Sequence, residues 1–175
     1  WGDLLYNKGA FSLYYLQTGR EYYRLISSMF LHANLMHLVS NMILLFVVGK
    51  LLERYCGRIF YLILYFICGL AGSALSAAGE FYMGKYSASI GASGAIMGLI
   101  GALLAIVVYH RGQYKEFNSR RILFMIAYIL YAGFTTTNVN NLAHIGGIIG
   151  GFIIMLFYCL IRGHMTKTKG DRSEN

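Results

Sequence analysis

"SIGASGAIMGLIGALLAIVVYHRG", Ser89 to Gly112, is apolar enough to lie in lipid, yet near its start a hydroxyl, Ser93, is boxed in by Gly91, Gly94 and Ala95. Ser93 and His110 are 17 positions apart, which is about 25 Å of helix against a hydrocarbon core of about 30 Å. With His110 at the cytoplasmic face, Ser93 would lie just below the outer surface. Gly94, Gly98, Gly101 and Ala105 recur at i, i+4, i+7 and i+11. That is a smooth stripe of the kind that lets two membrane helices meet backbone to backbone. A helix begun at Ser93 also leaves free N–H groups at its start, donors suited to a developing negative oxygen. The stretch is not the G-x-S-x-G elbow of soluble hydrolases, because position 95 is Ala.

The same reading extends along the chain. Of 175 residues, 57% are hydrophobic and 13% charged, with no proline; a soluble domain carries about 25% charged residues. Apolar runs at about 35–53, 59–79, 93–109, 122–138 and 142–161 make five candidate spans. The expected fold is an all-α, polytopic transmembrane helix bundle. It forms a single domain over 1–175: an external loop 1–34, transmembrane helices over 35–161 and a tail 162–175. The net charge of +8 could suggest nucleic acid, but the cations flank the spans. Lys50, Arg54, Arg58, Arg111, Lys115, Arg120, Arg121, Arg162, Lys167, Lys169 and Arg172 lie on one side, and Lys8, Arg20, Arg24 and Lys85 on the other. Eleven against four is a positive-inside bias that puts the C-terminus in the cytoplasm. The chain then begins outside, at Trp1, with neither a signal sequence nor an initiating methionine. The expectation is that a first transmembrane helix precedes it.

Trp1, Tyr6, Phe11, Tyr14, Tyr15, Tyr22 and Tyr23 enrich the external loop in rings that favour the headgroup region. Short helices lying in the outer interface are expected there. Glu80–Gly91, "EFYMGKYSASIG", reads as an outer connection. Ile122–Phe134 supplies 13 apolar residues, about 20 Å, short of the bilayer. It is the least firmly specified helix. Cys56, Cys68 and Cys159 show no metal or disulfide spacing and read as small packing residues.

Strongly polar groups at membrane depth are rare and point to function. His37 and Asn41, within "HANLMHLVSNM" (His32–Met42), share one helix face. Ser93 is the second such group. The third is His144 in "NNLAHIGGIIGG" (Asn140–Gly151), where Gly147 and Gly151 continue its face and Gly146 and Gly150 form a second small-residue pair. Taken singly, each also reads as a packing feature. Together, all at outer helix ends, they supply a nucleophile, a base and oxyanion donors, the requirements of serine acyl transfer. Of the acids Asp3, Glu21, Glu53, Glu80, Glu116, Asp171 and Glu174, none is expected at the level of His144 within a span. This leaves a Ser–His dyad and predicts slow turnover, because no carboxylate stabilises the imidazolium.

The motifs "HANLMHLVSN", "GASGA" and "AHIGGIIGG", in this order, resemble the rhomboid intramembrane serine proteases over nearly the whole chain. "EYYR", Glu21–Arg24, is similar to an external-loop motif that usually has Trp where Tyr23 stands. The resemblance implies Ser93 as nucleophile and His144 as general base and acid. It implies His37, Asn41 and the Ser93 N–H as the oxyanion site, Gly91 as the loop residue that admits the carbonyl, and Arg24 as structural. It also implies single-span membrane proteins as substrates, cut near the outer face after small residues, with no metal or cofactor, in what would be a bacterial cell membrane. The short span at Ile122 corresponds to a proposed lateral gate. Met97 stands where many relatives carry an aromatic that stacks on the catalytic histidine. The competing reading is a non-catalytic rhomboid-like protein that binds membrane clients, against which the retention of both Ser93 and His144 speaks. A channel or transporter fits poorly, since the apolar cores of the spans hold no acid to bind a cation and no inverted repeat is visible.

Overall fold

The helix that starts at Ser93 is the axis of the bundle. In a computed structural model describing residues 2–113, 118–135 and 139–173, it spans Ser93–Tyr109 and is buried along nearly its whole length, from Ala95 to Val107. A helix that is apolar all round belongs in the interior, so its 17 residues need not match the bilayer unaided. Trp1, Lys115, Glu116, Thr136, Thr137, Asn138 and Glu174 lie outside the described residues. The side chains of Gly2, Gly133 and residues 164–173 do too.

In chain order the elements are α1 (Gly2–Gly9), α2 (Leu13–Gly19), α3 (Arg24–Ser27), a 3-10 turn (Ser28–Phe30), α4 (Leu35–Cys56), α5 (Arg58–Met83), α6 (Ser93–Tyr109), α7 (Ser119–Thr135) and α8 (Asn141–Ser173). Residues before α4 thus form the short helices expected there. Among the described residues, α4, α5 and the Asn141–Gly163 part of α8 are long and apolar enough to cross a membrane, whereas α6 is apolar but shorter. α5 continues to Met83, beyond the expected end at 79, and stops at Gly84 in the left-handed conformation. α8 continues as helix to Ser173.

α8 lies between α5 and α6 and meets both through glycine. A Cβ at Gly147 would overlap the Gly94 carbonyl oxygen, and one at Gly151 the Gly98 carbonyl oxygen. On its other side, a Cβ at Gly146 would come within 2.7 Å of the Ala71 carbonyl oxygen and 3.1 Å of the Gly72 Cα. Both glycine pairs read from the sequence are therefore seams, and they face different helices. α7 is held differently. Among its described side chains, only Ile122, Ile126 and Ile129 are buried, while Leu123, Phe124, Tyr128 and Tyr131 are exposed.

Candidate active site

The glycine seam brings two distant residues together. Ser93 opens α6, and His144 sits in the first turn of α8. Their Oγ and Nε2 atoms are 3.1 Å apart, a hydrogen bond between groups 51 positions apart in sequence. His144 is 3% exposed and Ser93 is half-buried, so the pair is partly buried. The start of α8 is fixed locally: Asn140 Oδ1 accepts from the Ala143 N–H at 3.0 Å, an N-terminal cap. The Asn140 amide also donates to Ser76 Oγ on α5 at 2.6 Å. His144 Nδ1 is buried with no hydrogen-bond partner among the described residues, so none of these orients the ring through Nδ1.

A donor pocket adjoins the serine. Asn34 caps α4 by accepting from the His37 N–H at 2.8 Å, which sets His37 in the first turn and Asn41 one turn below it. The Ala33 N–H donates to His37 Nδ1 at 3.4 Å, so the neutral imidazole carries its proton on Nε2. That Nε2 lies 3.1 Å from where a Cβ would sit on Gly91, with Asn41 Nδ2 at 3.8 Å from the same point. Gly91 has φ +120°, a conformation closed to most side chains. Asn41 is 4% exposed and its Nδ2 has no partner among the described residues. A buried amide without an acceptor is costly, and here it faces the space that glycine leaves open. His37, Asn41 and Gly91 therefore converge two residues before Ser93.

The family model for the Rhomboid domain matches residues 19–161, which contain all of these groups. The chain belongs to the rhomboid family. It is 38% identical over 132 residues to the rhomboid protease GluP of Bacillus subtilis (strain 168), covering 75% of this chain and 25% of that protein. It is 41% identical over 138 residues to the mitochondrial RHOMBOID-like protein 6 of Arabidopsis thaliana, covering 78% and 43%. To the rhomboid protease AarA of Providencia stuartii it is 33% identical over 174 residues, covering 86% and 60%. The chain thus spans between a quarter and three-fifths of the length of these relatives. It is an integral membrane protein with a rhomboid-like helical bundle.

Arg24 is the hub of the segment before α4 in this rhomboid. It is 4% exposed and donates to the carbonyls of Asn7 and Ala10, each at 2.9 Å, and to the Glu21 carboxylate at 2.6 Å. Its guanidinium also stacks 3.8 Å over the Tyr15 ring. Tyr23, in the place of the usual Trp, donates its hydroxyl to Glu21 at 2.8 Å. The Tyr23 hydroxyl first, and then Arg24, hold the Glu21 carboxyl below its ordinary pKa. A depressed carboxyl stabilises the fold above its unfolded value, about 4.3, and that contribution is lost as pH falls through the folded value. Thermal unfolding should therefore move to lower temperature as pH drops below about 4, and Glu21→Gln should flatten that decline.

Two features escape a reading of the sequence. Glu80 is not in a loop but inside α5, 6% exposed, accepting from Ser12 Oγ at 2.7 Å and the Leu13 N–H at 2.9 Å. It fastens the segment before α4 to α5 through Ser12 and Leu13. That segment is held again where Phe11 and Ser89 form an antiparallel bridge just before the serine. Met97 is buried at 4% exposure, and the ring beside His144 is Phe134 of α7.

Proposed function

We propose that this rhomboid is an intramembrane serine endopeptidase acting through a Ser93–His144 dyad. The observation that carries the reading is the 3.1 Å Ser93–His144 contact beside an unpartnered buried donor, Asn41 Nδ2. His144 Nε2 takes the Ser93 proton as Oγ attacks the scissile carbonyl carbon. The resulting oxyanion accepts from His37 Nε2–H, Asn41 Nδ2–H and the Ser93 N–H. His144 then passes the proton to the leaving amine, and the peptide C–N bond breaks. Water, deprotonated by His144, hydrolyses the acyl-enzyme and regenerates both residues. Gly91 leaves room for the carbonyl, Arg24 holds the external loop, and the chemistry calls on no metal or cofactor.

The substrates proposed are single-span membrane proteins cut close to the outer face, after small residues. The buried site at the end of a 17-residue helix supports that depth. The setting proposed is a bacterial cell membrane with the C-terminus in the cytoplasm, as the excess of Lys and Arg on that side favours. With no carboxylate among the described residues bonded to His144 Nδ1, turnover should be slow beside that of a triad protease.

Cleavage of a single-span substrate in liposomes tests the reading. His37→Ala and Asn41→Ala should each lower kcat by roughly 10- to 1000-fold with little change in KM, because the oxyanion exists only in the transition state. A change mainly in KM would remove both residues from the oxyanion site.

A further inference from the structure

Resting on the dyad reading, we propose that Phe134 is a positioning residue for His144, supplied by α7, so that the geometry of the base depends on the outer end of α7 being docked. Among the described residues the His144 ring has no hydrogen-bond partner at Nδ1, and its one hydrogen bond is to Ser93. Four residues after the serine, Met97 offers no ring. Phe134 fills the gap from another helix: its ring centroid is 6.2 Å from that of His144 at an interplanar angle of 79°, an edge-on contact. Such pairs have a preferred geometry and so set ring orientation as well as filling space.

The contact is conditional on α7. Ile122, Ile126, Leu130 and Phe134 recur every four residues and so share one face. The buried anchors, Ile122, Ile126 and Ile129, all lie in its first three turns. Leu130 is half-buried, and Phe134, at 38% exposure, is in the last turn. The outer end of α7 is therefore held over the bundle by Leu130 and by the ring that touches the base. Movement of that end away from α8 withdraws Phe134 from His144, and its return restores the contact. A helix with three buried anchors, all in its first three turns, thereby sets how well the base is aimed.

The test uses the purified chain in liposomes, with two readouts: the rate of labelling by a small fluorophosphonate, which needs an activated serine but no substrate helix, and kcat and KM for a single-span substrate. Phe134→Leu keeps an apolar side chain and removes the ring. It should slow labelling and lower kcat about 3- to 10-fold, with KM changed less than about 2-fold, while Phe134→Tyr stays near wild type. Phe134→Ala should match or exceed the effect of Phe134→Leu. A labelled wild type with Phe134→Leu labelling at the same rate would overturn this proposal and leave the dyad standing. A wild type inert to the reagent would overturn both.

Discussion

Ser93→Ala and His144→Ala should each reduce cleavage of a reconstituted single-span substrate by at least about 10⁴-fold, and the double variant should be no worse than either alone. The magnitude follows from the chemistry. An alanine at 93 leaves no oxygen to form the acyl bond, and an alanine at 144 leaves a hydroxyl with no base to take its proton. No second base can substitute: His144 is the group hydrogen-bonded to Ser93 Oγ, at 3.1 Å, and His37 already directs Nδ1 at the Ala33 N–H. Non-additivity is expected because the two residues act as one unit. Circular dichroism and thermal unfolding on the same samples separate lost chemistry from lost fold. Independent, multiplying effects of the two substitutions would contradict the dyad.

Gly151→Val should be nearly as damaging, although position 151 touches no substrate. A Cβ there would overlap the carbonyl oxygen of Gly98 and meet its Cα at 3.0 Å. Those are backbone atoms in the middle of a helix and cannot rotate aside. α8 must therefore back away from α6, carrying His144 with it. Overpacking of this kind costs about 1–3 kcal/mol of stability. A displacement of about 1 Å can cost on the order of 10²-fold in rate, because it opens a 3.1 Å hydrogen bond. Ile149→Val, on the half-exposed side of the same helix, should alter neither quantity. Equal activity in Gly151→Val and wild type would mean that the seam does not set the Ser–His distance.

The seam was readable because a smooth stripe on two apolar helices has few other physical uses. Gly94 and Gly98 on one, and Gly147 and Gly151 on the other, name each other as partners before any coordinates exist. The polar residues at matching depth then fall together. What stayed hidden depended on long-range pairing. Glu80 follows an apolar run, and its charge suggested that the helix had ended. Its compensation comes from Ser12 and Leu13, 68 and 67 positions away, and no local pattern announces that. Phe134 was hidden for a similar reason. It reads as the last apolar residue of a short span, and its contact with His144 depends on how the chain turns between α7 and α8. The reach of α8 to Ser173 shows a third cause. An apolar pattern stops at the edge of the lipid, whereas the backbone hydrogen-bond ladder of a helix need not stop there.

The most direct measurement is to react the liposome-embedded protein with a fluorophosphonate and map the adduct by peptide mass spectrometry. The predicted result is one adduct, on Ser93, lost in His144→Ala. An adduct on another serine, such as Ser40 or Ser76, or one on Ser93 that survives removal of the imidazole, would contradict the account.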